Sequence, residues 1–453
     1  MALISTIKQN LFSPSKELQL KYTLWMNRFL LIYAFLLPIS NQAKAGAFFI
    51  ILLLFIARKN YFFYLKQSIT NPIVIAFTLY MLMYILWLFG TQNYDFAYKM
   101  IKLSKYALFP LLFLSFVDKR FTPYIVSAFI FGIFYSEIIS YLMTLEFIPW
   151  KLTLYGFDVY EAYNLGHYEP SPFIDHARYT TALALTVALI ANQLLNRTNA
   201  LKTKIIAILF MLSATINISI VGGRIGYVVY VALLFTLIIF KYKKKALKPL
   251  ITVILLISII SVTAYSLSPL FKQRINQSLH TIELIKNDPT HFNSSLGARF
   301  GIWYYGTDIV MNNLFFGTGT GDHMDTLKPL IPKKDAYLHN LPHPHNSYIE
   351  VLWQFGLIGL FIFLNIFYQI SRYKTSTLYQ KEVLILVTVA IGIAIMTEPF
   401  GPDKFYLPLW VTLVSVSITK QEYPSFQVDK FNKKTIFMYV GLISALLVLA
   451  FFQ

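Results

Sequence analysis

Residues 249–267 read PLITVILLISIISVTAYSL, an apolar run without a charged side chain. A helix rises 1.5 Å per residue, so about 20 such residues cross the ~30 Å hydrocarbon core of a membrane. Similar runs recur along the whole 453-residue chain, which is 57% hydrophobic and only 13% charged. Backbone groups in lipid must bond within the protein, and these runs lack the alternation of barrel strands. We therefore predict an all-α, polytopic membrane protein.

Thirteen segments are candidate membrane spans, and we expect 12–13 transmembrane helices. The segments are 24–40, 43–57, 71–90, 97–117, 122–143, 176–194, 204–221, 224–240, 249–267, 346–370, 382–398, 404–419 and 435–452. No Pro-, Gly- or Ser-rich linker marks a separate soluble part, so residues 1–453 are expected to form a single transmembrane domain. Residues 268–345 are too long for a structureless connection, which predicts a large, partly helical loop within that domain.

Lysine and arginine are distributed unevenly between the alternating connections. Seven segments on one side hold 23 of these residues, whereas the short connections around Asn41, Asn93, Gly222 and Gly401 hold very few. The positive-inside rule places the rich set in the cytoplasm. The net charge of +18 is thus mostly a topology signal, and no nucleic-acid partner is expected. Residues 144–175 and 268–345 then face outward.

Every histidine lies in those two outward segments or at the helix start that follows the first. The eight are His167, His176, His280, His291, His323, His339, His343 and His345. This one-sided distribution points to chemistry or recognition on the outer face. The chain has no cysteine, so thiolate chemistry is excluded.

Two arginines are candidate phosphate-binding residues, because a planar guanidinium suits phosphate oxygens. Arg224 follows two glycines in VGGRIGYVVY, which permit a tight reversal, and opens the span 224–240. Arg299 lies on a predicted helix, SSLGARFGIWYYG, in the large loop. The alternative for each is an interfacial anchor that snorkels to lipid headgroups. The GTGTG run at 317–321 could cradle phosphate, although such a run is more often simply a turn.

Lys99, Lys102 and Lys105 recur every three residues where the span 97–117 begins. This spacing keeps them near one side of a helix. Lysines that enter the membrane are costly unless they face a polar cavity or an anion, so we predict that these three bind substrate. Snorkelling is a strong alternative for Lys99 and Lys102, and it explains the deeper Lys105 least well.

The segment HPHNSY, residues 343–348, leads into the span 346–370. Pro344 suits the first turn of a helix, which puts His343 near the cap and His345 and Asn346 in the first turn. The positive end of the helix dipole favours a bound anion and a neutral imidazole, the form that a general base requires. The alternative is a hydrated interfacial histidine. A zinc site is not favoured, because HPH lacks the HExxH spacing and carboxylates in register.

Taken in order, these motifs resemble the O-antigen ligase and polymerase superfamily of bacterial envelope glycosyltransferases. They are GGR opening a span, an Arg…Trp helix followed by NNLFFGTGTGD, and PHPHNSYIEVLWQFGLIGL leading into the next span. The resemblance covers about residues 176–370. It implies a GT-C-like fold, usually of twelve spans, in the bacterial inner membrane. It also implies glycan transfer from undecaprenyl diphosphate to an acceptor hydroxyl at the periplasmic face, without nucleotide sugar, metal or other cofactor.

By position in those motifs, the resemblance assigns His345 as the catalytic residue and Arg224 and Arg299 as diphosphate ligands. The further substrate-binding candidates are Lys99, Lys102, Lys105, His343, Asn346 and Arg178, the last from IDHARYTTALAL at the start of the span 176–194. The implied function is an inverting O-antigen ligase with the lipid A-core as acceptor and membrane lipids around it. A polymerase of O-antigen or capsule, a protein-glycosylating oligosaccharyltransferase and a transporter or flippase stay as alternatives.

Overall fold

The structure is a computed structural model that describes residues 14–154, 157–161, 163–164, 167–196, 200–288, 290, 292–401, 403–423 and 433–451. Nearly all of its regular structure is helical. Up to residue 267 the helices are α1 (Lys16–Leu36), α2 (Asn41–Arg58), α3 (Tyr61–Ile69), α4 (Pro72–Leu86), α5 (Tyr94–Ser104), α6 (Phe109–Phe113), α7 (Thr122–Thr144), α8 (His176–Asn196), α9 (Leu201–Val221), α10 (Arg224–Tyr242) and α11 (Leu247–Leu267). From residue 268 they are α12 (Pro269–Asn287), α13 (Ser295–Tyr305), α14 (Thr307–Asn312), α15 (His323–Leu327), α16 (Ser347–Arg372), α17 (Leu378–Ala394), α18 (Tyr406–Ile418) and α19 (Lys433–Phe451). Short 3-10 helices are Lys105–Leu108, Lys119–Phe121, Lys243–Lys245, Lys328–Leu330 and Lys333–Asn340.

Two small antiparallel hairpins contribute the strands of the described residues. β1 (Lys151–Leu154) pairs with β2 (Phe157–Glu161), and β3 (Tyr163–Asn164) pairs with β4 (His167–Tyr168). Both hairpins lie in the connection between α7 and α8. The predicted class, an all-α polytopic membrane protein, is confirmed, with these hairpins as a local addition.

Among the described residues, six helices are long and apolar enough to cross a membrane. They are α2, α7 with the turn before it, α9, α10, α11 and α16. The pair α3 and α4, which is bent by 96° at a short break, would form a seventh span. The other predicted spans also contain helices, but these are shorter or less apolar, so the number 12–13 stays a prediction.

The most buried helices lie at the centre of the bundle. Every residue of α18 is buried and α8 is buried along most of its length, whereas α11 has no buried residue and lies at the surface. α8 packs against both α9 and α10. Gly223 and Gly226 allow the close approach to α8, because a Cβ on either would lie 2.3 Å from an atom of Thr180. The first turns of α8 and α10 are therefore direct neighbours.

α16 is broken where the sequence predicts one continuous span. Gly356 has φ +64° and ψ −163°, outside the helical region. The loop after α14 fills the break. Its Thr318 N–H donates to the Trp353 carbonyl at 2.9 Å, and the Leu357 N–H donates to the Leu314 carbonyl at 2.8 Å. The prediction of an unbroken helix is wrong because a distant loop satisfies the backbone groups that the break releases.

Candidate active site

Arg224 begins α10 directly after a left-handed turn. Gly222 has φ +73°, and its N–H donates to the Ile218 carbonyl at 3.2 Å at the end of α9. The half-buried Arg224 donates from Nη1 to Ser278 Oγ on α12, at 3.4 Å. Among the described residues it has no carboxylate partner. The tight reversal predicted at GGR is confirmed, and it presents a guanidinium without a salt-bridge partner in the described part of the chain.

Arg299 is a second unpaired arginine, on α13 of the large loop. In the described part of the chain it forms neither a hydrogen bond nor a salt bridge. Its positive charge acts on Arg224, as does the charge of Arg274 on α12. Burial lowers the pKa of Arg299, and the carboxylate of Glu398 opposes this shift. Two half-buried guanidinium groups whose charges act on each other repel, and an anion bound between them would offset that repulsion. Arg224 and Arg299 therefore suit an anionic ligand.

The turn before α16 differs from the prediction for HPHNSY. α16 begins at Ser347, and Asn346 is its N-cap, with Oδ1 accepting the N–H of Tyr348 at 3.0 Å and of Ile349 at 3.1 Å. The prediction that His345 and Asn346 lie in the first turn is wrong, because the Asn346 side chain takes the capping position. Asn346 Oδ1 is thus committed to the helix end.

His343 holds the backbone of His345 in a left-handed conformation. His345 has φ +52°, and its N–H donates to His343 Nδ1 at 3.2 Å, with the two ring centroids 4.1 Å apart. Trp303, one turn after Arg299, donates from Nε1 to the Pro344 carbonyl at 2.7 Å. This bond connects the segment 343–345, which precedes α16, to α13. His343 Nδ1 accepts a hydrogen bond and therefore carries no proton.

Both histidines are neutral near pH 7. Burial, together with His343 and Arg299, lowers the pKa of His345 to about 3. Burial lowers the pKa of His343 to about 4, together with the charges of Arg299 and Arg178. The sequence predicts a neutral imidazole from the helix dipole, but burial and the arginines are the causes here. Nδ1 of His345 is buried and has no hydrogen-bond partner in the described residues.

Arg178 is committed to ion pairs within the protein. Its Nε lies 2.6 Å from Oδ2 of the fully buried Asp403, and its Nη1 contacts Asp175. Burial raises the pKa of Asp403, whereas Arg178 lowers it. Lys44, also buried, donates from Nζ to the Lys404 carbonyl beside this pair. Sequence reasoning missed Asp403 and Lys44, since both are far from Arg178 along the chain, although Asp175 stands three residues before it.

A second group of ion pairs, besides that of Arg178, links the predicted outward segment 144–175 to the large loop 268–345. Glu169 places Oε2 2.7 Å from His176 Nδ1 and Oε1 3.1 Å from Arg274 Nη2. Glu169 is buried, while the His176 side chain is 33% exposed. The charge of Arg274 reaches both His176 and Arg224, so this network borders the unpaired arginines. Of these residues the sequence singled out only His176, as one of the eight histidines. Of the other seven histidines, His291 and the side chain of His167 lie outside the described residues.

The three candidate lysines have no contact with the two histidines in the part of the chain that the structure describes. Lys99 and Lys102 are exposed on α5, and Lys105 is exposed at the start of a 3-10 turn. The predicted continuous helix 97–117 is wrong, because Pro110 cannot donate a backbone hydrogen bond and restricts the residue before it. The role of these lysines in binding substrate stays a prediction.

The GTGTG run is a turn whose N–H groups are occupied. The Gly319 N–H donates to the Gln354 carbonyl at 2.9 Å, and the Gly321 N–H donates to Gln354 Oε1 at 2.9 Å. Thr318 bonds to the neighbouring carbonyl of Trp353 at 2.9 Å. Of the two alternatives for this run, the structure supports the turn rather than the phosphate cradle.

Fold and site together define a polytopic helical membrane protein in which one unpaired arginine, Arg299, acts on two neutral histidines and on a second unpaired arginine, Arg224, in the described residues. A family model described as O-Antigen ligase matches residues 206–364, which include Arg224, Arg299, His343 and His345. This match supports the O-antigen ligase superfamily that the motifs predicted, and it does not separate ligase from polymerase. The chain is also similar to an uncharacterized protein of Haemophilus influenzae, with 32% identity over 181 residues. That similarity covers 38% of this chain and 44% of the relative, less than half of its length.

Proposed function

We propose that this protein is an O-antigen ligase that transfers O-antigen polysaccharide from undecaprenyl diphosphate to the lipid A-core. The observation that carries the proposal is the pair Arg224 and Arg299, which have no salt-bridge partner in the described residues and whose charges act on each other, with Arg299 also acting on the neutral His345. The family match supports this class of reaction. The one-sided distribution of lysine and arginine supports a site at the periplasmic face of the bacterial inner membrane.

The transfer forms a bond between the acceptor oxygen and the anomeric carbon. It breaks the bond from that carbon to the diphosphate oxygen, which keeps the electron pair. His345 accepts the proton of the attacking hydroxyl, and no protein group among the described residues occupies its Nδ1. Arg224 and Arg299 stabilise the negative charge that develops on the diphosphate. An in-line displacement inverts the anomeric centre, and in this metal-independent scheme the arginines supply the positive charge.

Donor binding would also make His345 a better base. In the free protein, the charge of Arg299 contributes to the low pKa of His345. A bound diphosphate offsets that positive charge and so opposes this part of the lowering of the His345 pKa, while burial remains its largest cause. The base would therefore strengthen when the donor is in place.

The variant His345→Asn tests this assignment. Because His345 has φ +52°, Asn suits its backbone better than Ala does, and loss of activity then reports chemistry rather than folding. In a deletion strain, we expect His345→Asn and Arg299→Gln to be produced normally but to restore no long-chain lipopolysaccharide. Normal long-chain lipopolysaccharide with His345→Asn would refute the catalytic role.

The same deletion strain separates the alternatives. Loss of a ligase leaves bare lipid A-core and accumulated lipid-linked polymer, whereas loss of a polymerase leaves core that carries one repeat unit. The family match favours these two functions over a transporter. Glycan transfer by purified protein in detergent, where no sealed compartment exists, would exclude transport as the sole function.

A further inference from the structure

His176 has the surroundings of an acid–base residue that the scheme above does not use. Its Nδ1 lies 2.7 Å from Glu169 Oε2, close enough for a charge-assisted pair although the ring N–H does not point straight at the oxygen. Its Nε2 has no hydrogen-bond partner in the described residues, and the side chain is one-third exposed. A carboxylate that fixes one ring nitrogen and leaves the other accessible is the usual arrangement of an acid–base histidine.

The backbone of His176 lies beside the start of α10, whose first residue is Arg224. The carbonyl of His176 lies 2.6 Å from where a Cβ on Gly223 would be, and Gly223 directly precedes Arg224. Thr180 Oγ1 donates to the His176 carbonyl at 2.7 Å and is 3.3 Å from the Gly223 carbonyl, which ties the two helix starts together. His176 is therefore at the arginine side of the site, and His345 is at the α16 side.

Four charged groups from three parts of the chain surround His176. They are Glu169 in the segment before α8, Asp175 next to it, Arg274 on α12 and Glu398 after α17. Three of these groups are carboxylic acids, and the cation Arg274 is already paired with Glu169. These surroundings favour a positively charged imidazole, in contrast to those of His343 and His345, where arginines are the nearby ions.

We propose that His176, oriented by Glu169, is a second acid–base residue that donates a proton to the leaving diphosphate; this inference rests on the proposed glycan transfer. As the bond from the anomeric carbon to the diphosphate oxygen breaks, that oxygen gains the electron pair and takes the proton from His176 Nε2. The proton of the acceptor hydroxyl goes to His345. Solvent exchange then restores both histidines, so the net reaction moves one proton from acceptor to diphosphate.

The pH profile of glycan transfer by the purified full-length protein tests this role. If His176 must be protonated, kcat falls at high pH, and Glu169→Gln moves that alkaline limb about one pH unit toward acid, because the carboxylate favours the imidazolium. We expect His176→Gln to lower kcat roughly a hundredfold and to abolish the alkaline limb. Glu382→Gln is the matched control, since Glu382 is equally buried and accepts hydrogen bonds from Asn192 and Asn196 at the other end of α8.

A structural role gives a different result. If Glu169 only ties its segment to α8 and α12, Glu169→Gln lowers the melting temperature but leaves the shape of the pH profile unchanged, and the inference is then overturned. The same holds if His176→Gln transfers glycan at the wild-type rate. A wild-type protein that transfers no glycan at any pH refutes the proposed function itself and this inference with it.

Discussion

The backbone of Gly317 crosses the backbone of Gln354 so closely that a Cβ on Gly317 would lie 2.4 Å from the Gln354 carbonyl oxygen. On the other side of the crossing, a Cβ on Gly356 would lie 2.3 Å from the Phe315 carbonyl oxygen. Both glycines have positive φ, +68° and +64°. The crossing holds the GTGTG turn in the break of α16. It therefore fixes the position of the first half of α16, whose N-cap, Asn346, directly follows His345.

Gly317→Ala and Gly356→Ala are expected to destabilise the protein strongly. Each adds a Cβ against backbone that cannot move aside, and a left-handed conformation costs a non-glycine residue a further ~1–2 kcal/mol. The measurement is the melting temperature and the yield of folded protein in detergent. Gly441→Ala on α19 is the control, because nothing lies within 4 Å of its Cβ position. Equal melting temperatures for Gly317→Ala and Gly441→Ala would contradict the tight crossing.

The helices could be predicted from the sequence but this crossing could not. Apolar composition decides where a helix forms in a membrane, and every predicted span contains helix. The run through Gly356 stays apolar on both sides, so neither hydropathy nor period marks a break there. The break is stable because the loop at 314–321 supplies hydrogen-bond partners, and such long-range pairing leaves no trace in local composition.

His343 is expected to act on His345 through the backbone. His343 Nδ1 accepts the His345 N–H at 3.2 Å, and an Asn side-chain oxygen can accept the same bond, whereas Leu cannot. We expect the glycan-transfer rate of His343→Asn to stay within roughly tenfold of the wild-type rate. The rate of His343→Leu should be at least about ten times lower than that of His343→Asn. Both rates are measured on the purified variants, and equal melting temperatures of the two variants serve as the control for folding. If His343→Leu were as active as His343→Asn, the hydrogen bond would have no positioning role.

Arg178 is expected to matter for stability. Removing one partner of a buried ion pair leaves an unpaired charge and typically costs about 3–5 kcal/mol, so Arg178→Ala should lower the melting temperature sharply. Asp403→Asn should do the same, since Asp403 is fully buried. Glu17→Gln, which breaks the exposed pair with Lys21, is the control and should change little. A melting temperature of Arg178→Ala near that of Glu17→Gln would show that the buried pair contributes nothing.

The contrast between local motifs and long-range contacts also applies to the candidate site residues. Arg224, Arg299 and His345 stand in local motifs, and their geometry follows from nearby glycines, caps and prolines. Whether an arginine is free or paired depends on residues elsewhere. Asp403 forms a salt bridge with Arg178 from another helix connection, whereas no carboxylate in the described chain lies within salt-bridge distance of Arg299, on which Glu398 acts only from farther away. Sequence spacing therefore predicts where an arginine stands but not whether it is available to a ligand.

Glu398 is expected to make anion binding depend on pH. Burial raises its pKa to about 7, with Asp175 acting in the same direction and Arg299 in the opposite one. Below pH 7 Glu398 is neutral and leaves Arg299 free, whereas above pH 7 its negative charge competes with a bound anion for that guanidinium. Affinity for inorganic diphosphate should thus fall as pH rises through 7, and Glu398→Gln should remove the part of this fall that Glu398 causes.

Diphosphate itself ionises in this pH range, but it does so equally for both proteins. Comparing the affinity of Glu398→Gln with that of wild type at two pH values therefore isolates the effect of Glu398. We expect Glu398→Gln to bind diphosphate about tenfold more tightly than wild type at pH 8.5, a reasonable value for one charge at effective dielectric ~20, and within about twofold of wild type at pH 6. Binding is measured by calorimetry on the purified protein. Glu382→Gln, whose carboxylate is bonded to Asn192 and Asn196, should match wild type at both values. The same affinity ratio for Glu398→Gln at pH 6 and pH 8.5 would mean that Glu398 does not titrate beside Arg299.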